Sequence, residues 1–392
     1  MAIGVPVESF GAKGDGVTDD SAAIQACIDA LPAPQGGMIL FRAAQYGPSS
    51  GMVNGLLIRG DKLVTLRGEG AGIQLKNGTQ LVFAPGVVGI TMRHGVAGLG
   101  GKSRVEHMRL IGNGAVATAD GSLLQSNSSI LSNLVLQSFG GFGVHVSSPS
   151  GAIADNANAC VGEHLVFNAN EAGGLKLDGV NSNGCVFTGL NIGASLGPAI
   201  TLSGVNTTTV IGAVIEGNAS GIVLTIGTTN TRMFGVYYET DANIALQMNA
   251  GASKNVIHFG ALGRTVGDPV VDNGSDNYWL SPNNSLHWNG FVVGRELGPQ
   301  DSVELRPGNL ILNLGAKATF LNALGSAIWT IQGVTGDLVI SSAQDNYLST
   351  GNKVQFFGLS VFADNAAARA GGLSFGALYR TGGNPDLVGV VH

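Results

Sequence analysis

Residues 186–246 read VFTGLNIGASLGPAITLSGVNTTTVIGAVIEGNASGIVLTIGTTNTRMFGVYYETDANIAL, and within them a pattern returns at a period of about 23 residues. Followed outward, it runs from Ile130 to Val256 in two apolar columns. One column is Ile130, Val161, Val186, Val210, Met233 and Val256, whose steps are 31, 25, 24, 23 and 23. The other is an apolar-x-apolar triplet: Val144 and Val146, Leu175 and Leu177, Ile200 and Leu202, Ile222 and Leu224, Ile244 and Leu246. Its steps are 31, 25, 22 and 22. Two columns that drift in step give each unit strands at fixed angular positions around a coil, which is the signature of a solenoid.

The apolar runs are three to seven residues long and separated by Gly, Asn, Ser and Thr without helical periodicity. Helical repeats and leucine-rich horseshoes are therefore excluded. A parallel β-helix fits: each strand pairs with its counterpart in the next coil at roughly 4.8 Å, one side fills the bore, and turns occupy the corners. The 62 glycines supply corners where φ must be positive. A chain of 392 residues exceeds one compact core, and a solenoid escapes that limit because its core grows along an axis.

Only 12% of residues are charged and the net charge is −6 with no basic run, so nucleic acid is not an expected partner. No run of 18 apolar residues predicts membrane insertion, and MAIGVPVESF lacks the charged and apolar regions of an export signal. Three cysteines (Cys27, Cys160, Cys185) show no metal-ligand spacing. Cys160 and Cys185 precede Val161 and Val186 and should stack one coil apart as free thiols. No cofactor motif is present, since none of the glycine-rich runs leads from a strand into a helix.

In FGAKGDGVTDDSAAIQACIDAL (10–31), Asp19 or Asp20 can cap a helix whose stripe of Ile24, Cys27 and Ile28 would seal the coil end. The string GDGVTDDSAAIQ resembles the N-terminal signature of the pectate-lyase-like superfamily of right-handed parallel β-helices, which includes polygalacturonases, lyases and phage tailspikes. The resemblance covers roughly residues 6 to 280 and makes Asp15, Asp19 and Asp20 structural. It implies an all-β fold: an N-terminal cap and first strands (1–60), a right-handed parallel β-helix (61–282) and then a C-terminal antiparallel β domain (283–361). The last is expected from SVELRP, NLILNL, AIWTIQG, DLVISS and KVQFFG. The closing segment (362–392), with its GALYR string, resembles the ends of phage tail fibres and tailspikes. Such proteins are homotrimers, so the resemblance implies a trimer at a virion tail or an extracellular location. The chain departs from a full tailspike in having no attachment domain before residue 6.

Catalytic candidates must lie outside the coil. In the first column the seventh position of each run is Leu136, Phe167, Ile192, Glu216 and Glu239, so two carboxylates enter adjacent coils one repeat apart. A carboxyl pair at one strand spacing can divide into a proton donor and a base or nucleophile, as glycoside hydrolysis requires. Tyr237, Tyr238 and Asp241 lie beside Glu239 and could form a sugar platform and a further acid. Asp178 ends LKLD nearby and reads first as a turn residue and only second as a catalyst. Arg232 and His258 could neutralise a uronate and abstract its proton in a lyase. Arg93, His94, Lys102, Arg104, His107 and Arg109 form the one locally basic region. The long first step of both columns places an insertion at 147–159, and Trp279 and Trp288 stand where the repeat ends. These features predict a protein that binds and cleaves a bacterial surface polysaccharide with Glu216 and Glu239, without cofactor or metal. The alternatives are a lyase acting on a uronate-containing glycan and a non-catalytic receptor-binding fibre module.

Overall fold

A computed structural model describes residues 4–71, 78–93, 102–114, 119–148, 156–239, 244–262 and 270–280, with shorter pieces at 286–288, 291–293, 317–321, 327–334, 337–341, 361–373, 378–380 and 388–390. The chain divides into two units, Met1–Leu310 and Ile311–His392.

The first unit is a parallel β-helix. Among the described residues each coil adds one strand to a long sheet of fifteen and one to a second sheet of nine. In the long sheet Arg104, Ile130, Val161, Val186, Thr209, Arg232, Val256 and Tyr278 are successive register partners. In the second sheet the sequence is Val144, Leu175, Ile200, Ile222, Leu246 and Val270. The bore is filled by stacked apolar columns, one of which runs Leu136, Phe167, Ile192, Ile215 and Tyr238, all buried.

The register corrects both apolar columns by small slips. Val210 pairs with Phe187, not Val186, and Leu246 rather than Ile244 pairs with Ile222. For Val210, off by one, the cause is the two-residue period of a strand. Ile130, Val161 and Val186 point outward and are half-buried, so the corresponding place in later coils can hold Thr209 or the exposed Arg232. The inward residue one place on stays apolar as Leu131, Phe187, Val210, Met233 and Ile257. The sequence therefore merges an outward column with an inward one.

Six successive strands of the long sheet, from Arg104–Ile111 to Arg232–Glu239, each turn a corner at one left-handed residue. His107, Asn133, His164, Gly189, Gly212 and Gly235 stack here with φ between 50° and 67°. The two residues before the next inward one both face out, as a bulge requires. Thus the long sheet has two arms.

The residue before each long strand faces the bore. Ser103, Ser129, Cys160, Cys185, Thr208, Thr231, Asn255 and Asn277 form this buried polar ladder. Buried polar groups need partners, and the two asparagines find them within the ladder: Asn255 Oδ1 accepts the Thr231 N–H at 3.0 Å and Asn277 Oδ1 accepts the Asn255 N–H at 3.1 Å, whereas the Thr208 and Thr231 hydroxyls have no partner among the described residues. Cys160 and Cys185 are free and stack as expected, both thiols reaching the Ala157 carbonyl, at 3.2 and 3.5 Å.

The helix Ser21–Ala30 buries Ile24, Cys27 and Ile28 against the first coil. Its Gln25 side chain bonds both the N–H and the C=O of Leu57, satisfying backbone at the edge strand of the second sheet. The buried Lys62 ammonium donates to the carbonyls of Ile28, Asp29 and Leu31 at 3.2, 2.9 and 3.1 Å, closing the helix C-terminus. Asp20 occupies the N-cap position, but its carboxylate accepts the Lys13 and Gly14 N–H groups instead, and Asp19 binds Ser21 and Val53. Asp15 accepts from Val17 and Thr18. All three aspartates of the signature are thus committed to loop structure.

Parallel stacking stops at Tyr278–Leu280, which pairs antiparallel with Leu286–Trp288, itself antiparallel to Phe291–Val293. In the second unit Lys317–Leu321, Ala327–Val334 and Asp337–Ser341 form an antiparallel sheet. SVELRP, NLILNL and KVQFFG lie outside the described residues. In the closing segment a short helix, Asn365–Ala370, is capped by Asp364, and Leu378–Arg380 pairs antiparallel with Val388–Val390.

Candidate functional site

Glu216 and Glu239 each end a strand of the long sheet and are register partners, so their Cα atoms stand about 4.8 Å apart. Both are exposed. Gly193 precedes Glu216 in their column, and Asn168 and Gln137 precede Gly193. The glutamates therefore continue an outward polar column and do not interrupt an apolar one. Their stacking, unlike that premise, is as the sequence predicts.

Tyr237 lies on the same outer face, 40% exposed, and donates its hydroxyl to Glu239 Oε2 at 2.6 Å. That hydrogen bond, with the charges of Glu239 and Glu216, raises the Tyr237 phenol above its ordinary value. Tyr238 points the other way. It is wholly buried in the bore, donates to the Ile244 carbonyl at 3.1 Å and is pushed by burial to about 12, so it cannot serve as a sugar platform. Asp241 lies outside the described residues. Arg232 is exposed and His258 half-buried on the other arm of the long sheet. The corner at Gly235 separates them from the glutamates.

The second sheet carries a cluster that sequence reasoning reached only through Asp178. His145 stands between two carboxylates, with Nδ1 2.9 Å from Asp120 Oδ2 and Nε2 3.0 Å from Asp178 Oδ2. Lys176, the register partner of His145, reaches Asp178 Oδ2 at 2.9 Å, and its ammonium lies 5.5 Å from the Phe142 ring centre. Asp120 also accepts the Phe142 N–H at 2.7 Å. Asp178 is thus an ion-paired residue rather than a turn former. Burial disfavours the His145 imidazolium, but the two aspartates outweigh it and raise His145 above its ordinary value. Burial likewise opposes the Asp178 carboxylate, yet hydrogen bonds from His145, Lys176 and Ser147 hold it well below the carboxylate range. Because His145 sits between the carboxylates, they do not converge on a point, and no group of three metal ligands occurs among the described residues. His145 carries no signal in the repeat, because Asp120 comes from a turn whose position only the register reveals.

The predicted basic region is divided. Arg93 lies on the second sheet, whereas Arg104 pairs with Glu106 at 3.0 Å and Arg109 bonds Gln137 at 3.0 Å through Nε, both on the long sheet. His94 and residues 149–155 of the expected insertion lie outside the described residues. Trp279 packs against the core, and the Trp288 side chain is not among those described.

No protein-family model matches the chain. A 45-residue segment is 56% identical to the mannuronan C5-epimerase AlgE1 of Azotobacter vinelandii, a match covering 12% of this chain and 3% of the epimerase. Among solved structures, ORF18 of Geobacillus virus E2 aligns over 100% of this chain and 86% of its own at 15% identity, with a TM-score of 0.45. The enzymatically active domain of tailspike protein 2 of bacteriophage CBA120 aligns over 72% and 46% at 14% identity, with a TM-score of 0.39. The strand pairing itself defines the chain as a parallel β-helix protein, as the N-terminal signature implies. No helix among the described residues is long and apolar enough to cross a membrane.

Proposed function

We propose that this protein binds a bacterial surface polysaccharide along the coil and hydrolyses it with Glu216 and Glu239, as a tailspike-like homotrimer at a virion tail. The observation that carries the reading is the Tyr237 hydroxyl on Glu239 beside the in-register Glu216. The Tyr237 hydroxyl holds the Glu239 carboxylate in place, and Glu239 takes the part of nucleophile. Glu216 has no such donor among the described residues and takes that of general acid. Glu216 protonates the glycosidic oxygen as the bond to the anomeric carbon breaks, and Glu239 attacks that carbon. Water, deprotonated by Glu216, then releases the sugar from Glu239. Adjacent strands set the pair nearer the roughly 5–5.5 Å separation of retaining enzymes than the wider inverting one. Further support comes from the 45-residue likeness to an enzyme named for mannuronan, a polysaccharide.

Release of reducing ends from capsule or lipopolysaccharide of a host tests this. Glu216→Gln and Glu239→Gln should each lower the rate by about 10³-fold or more. Full activity in both variants would remove the site assignment, and inactivity of the wild type on every host glycan would favour the fibre module. Elimination would instead use Arg232 and His258 on the other arm of the long sheet, beyond the Gly235 corner, and an unsaturated uronate product would mark it.

A further inference from the structure

We infer that the outer face of the second sheet is a binding track for an acidic polysaccharide, anchored by Arg59 and Arg93; this rests on the polysaccharide reading above and names its substrate class. Arg59 and Arg93 close the strands Leu56–Arg59 and Ile90–Arg93, are register partners, and are both exposed. Like charges side by side on neighbouring strands repel each other. With only 20 Lys and Arg in 392 residues, the chain is under no pressure of composition to place two together. Where guanidinium groups crowd on the long sheet a carboxylate separates them: Arg67 and Arg104 both reach Glu106, at 3.5 and 3.0 Å. Between Arg59 and Arg93 no ion pair forms among the described residues. Their forked donors, about one strand spacing apart, suit successive anionic groups on a polymer, since guanidinium pairs carboxylate or sulfate through two parallel hydrogen bonds.

The same face continues the track. Gln125 is the register partner of Arg93, and the outward column beside it runs Thr91, Leu123, His145 and Lys176. There Phe142 offers an apolar ring beside the ammonium of Lys176 and the imidazole of His145, at 5.5 and 6.1 Å. The ring suits the apolar face of a sugar, and because both His145 nitrogens and the Lys176 ammonium are engaged by Asp120 and Asp178, the acidic groups fall to Arg59 and Arg93. Asp120 and Asp178 fix His145 and Lys176 in place rather than leaving them mobile.

Binding of the full chain to polymannuronate, dextran sulfate and neutral dextran, titrated across ionic strength, tests the inference. At least one acidic polymer should bind, with affinity falling steeply as salt screens the charges, and dextran should not. The R59Q/R93Q variant should lose about tenfold or more in affinity and part of the salt dependence, while R59K/R93K keeps the charge but not the fork and should fall between. Which acidic polymer binds separates carboxylate from sulfate recognition. Equal binding of dextran, no binding of either acidic polymer, or an unchanged R59Q/R93Q variant would overturn the track. The two readings separate cleanly: E216Q should bind normally, so hydrolysis lost with binding intact leaves the track standing. Hydrolysis of a neutral glycan by an R59Q/R93Q variant of full activity removes the track alone.

Discussion

Tyr237 and Tyr238 are neighbours in the chain with opposite environments, because alternate strand residues face opposite sides. Tyr237→Phe removes the donor on Glu239 and leaves the bore untouched. We expect kcat to fall about tenfold to a hundredfold, in line with loss of one hydrogen bond to a charged group, with an unchanged melting temperature. Tyr238→Ala opens a cavity in the wholly buried column and should cost about 3–5 kcal/mol of stability. His145 adds a pH dependence. Its raised value means that its stabilising contribution is complete below the ordinary 6.5 and is lost as pH rises through the folded value. Asp178, depressed, contributes fully above the ordinary 3.8 and loses its contribution as pH falls through its folded value. The cluster therefore stabilises most between about pH 4 and 6.5. The melting temperature should decline on the alkaline side, and His145→Asn should flatten that decline.

At the scale of the strand, the corner is the unit of construction. Gly212 has φ of 67° and open space where a Cβ would stand, so substitution there meets backbone strain alone. Gly212→Val should cost about 1–2 kcal/mol, whereas Gly212→Asn should be nearly neutral, since Asn133 holds the same corner three coils earlier. Chemical denaturation of the two variants measures the difference. These corners also explain what the sequence could reveal. The repeat announced the coil, its strands and the stacked thiols, because bore-facing residues at a fixed period are a strong pattern. It misplaced Ile244 by two residues, because ETDANIAL offers two apolar residues at that spacing, and Val210 by one, because apolar and outward residues are not mutually exclusive and such a slip reverses the face. Glu216 and Glu239 survived this slip because both were displaced together. His145, Asp120, Arg59 and Arg93 are joined by register between different coils, which no local pattern records.

For the whole molecule, coils that touch only their neighbours make stability a sum over coils and interfaces. Residues 186–208 form one complete coil, since Thr209 is the register partner of Val186 and Thr208 follows Cys185 in the buried ladder. Excising them should leave a folded, shorter β-helix with an unchanged circular dichroism signal per residue. Excising only 186–197, which removes the long-sheet strand Val186–Gly193 but keeps Pro198–Ser203 of the second sheet, should break the alternation of the two sheets and fail to fold.

The reversal at Leu286–Trp288 sets a direction on how such a chain can change in length. A strand running backwards gives the next coil no parallel partner to copy, and Gln25 already occupies backbone groups of the edge strand at the other end. Duplicated segments can therefore be accommodated between existing coils but not appended past either terminator. Lineages of this protein should differ by whole coils gained or lost in the middle, with both ends inherited intact.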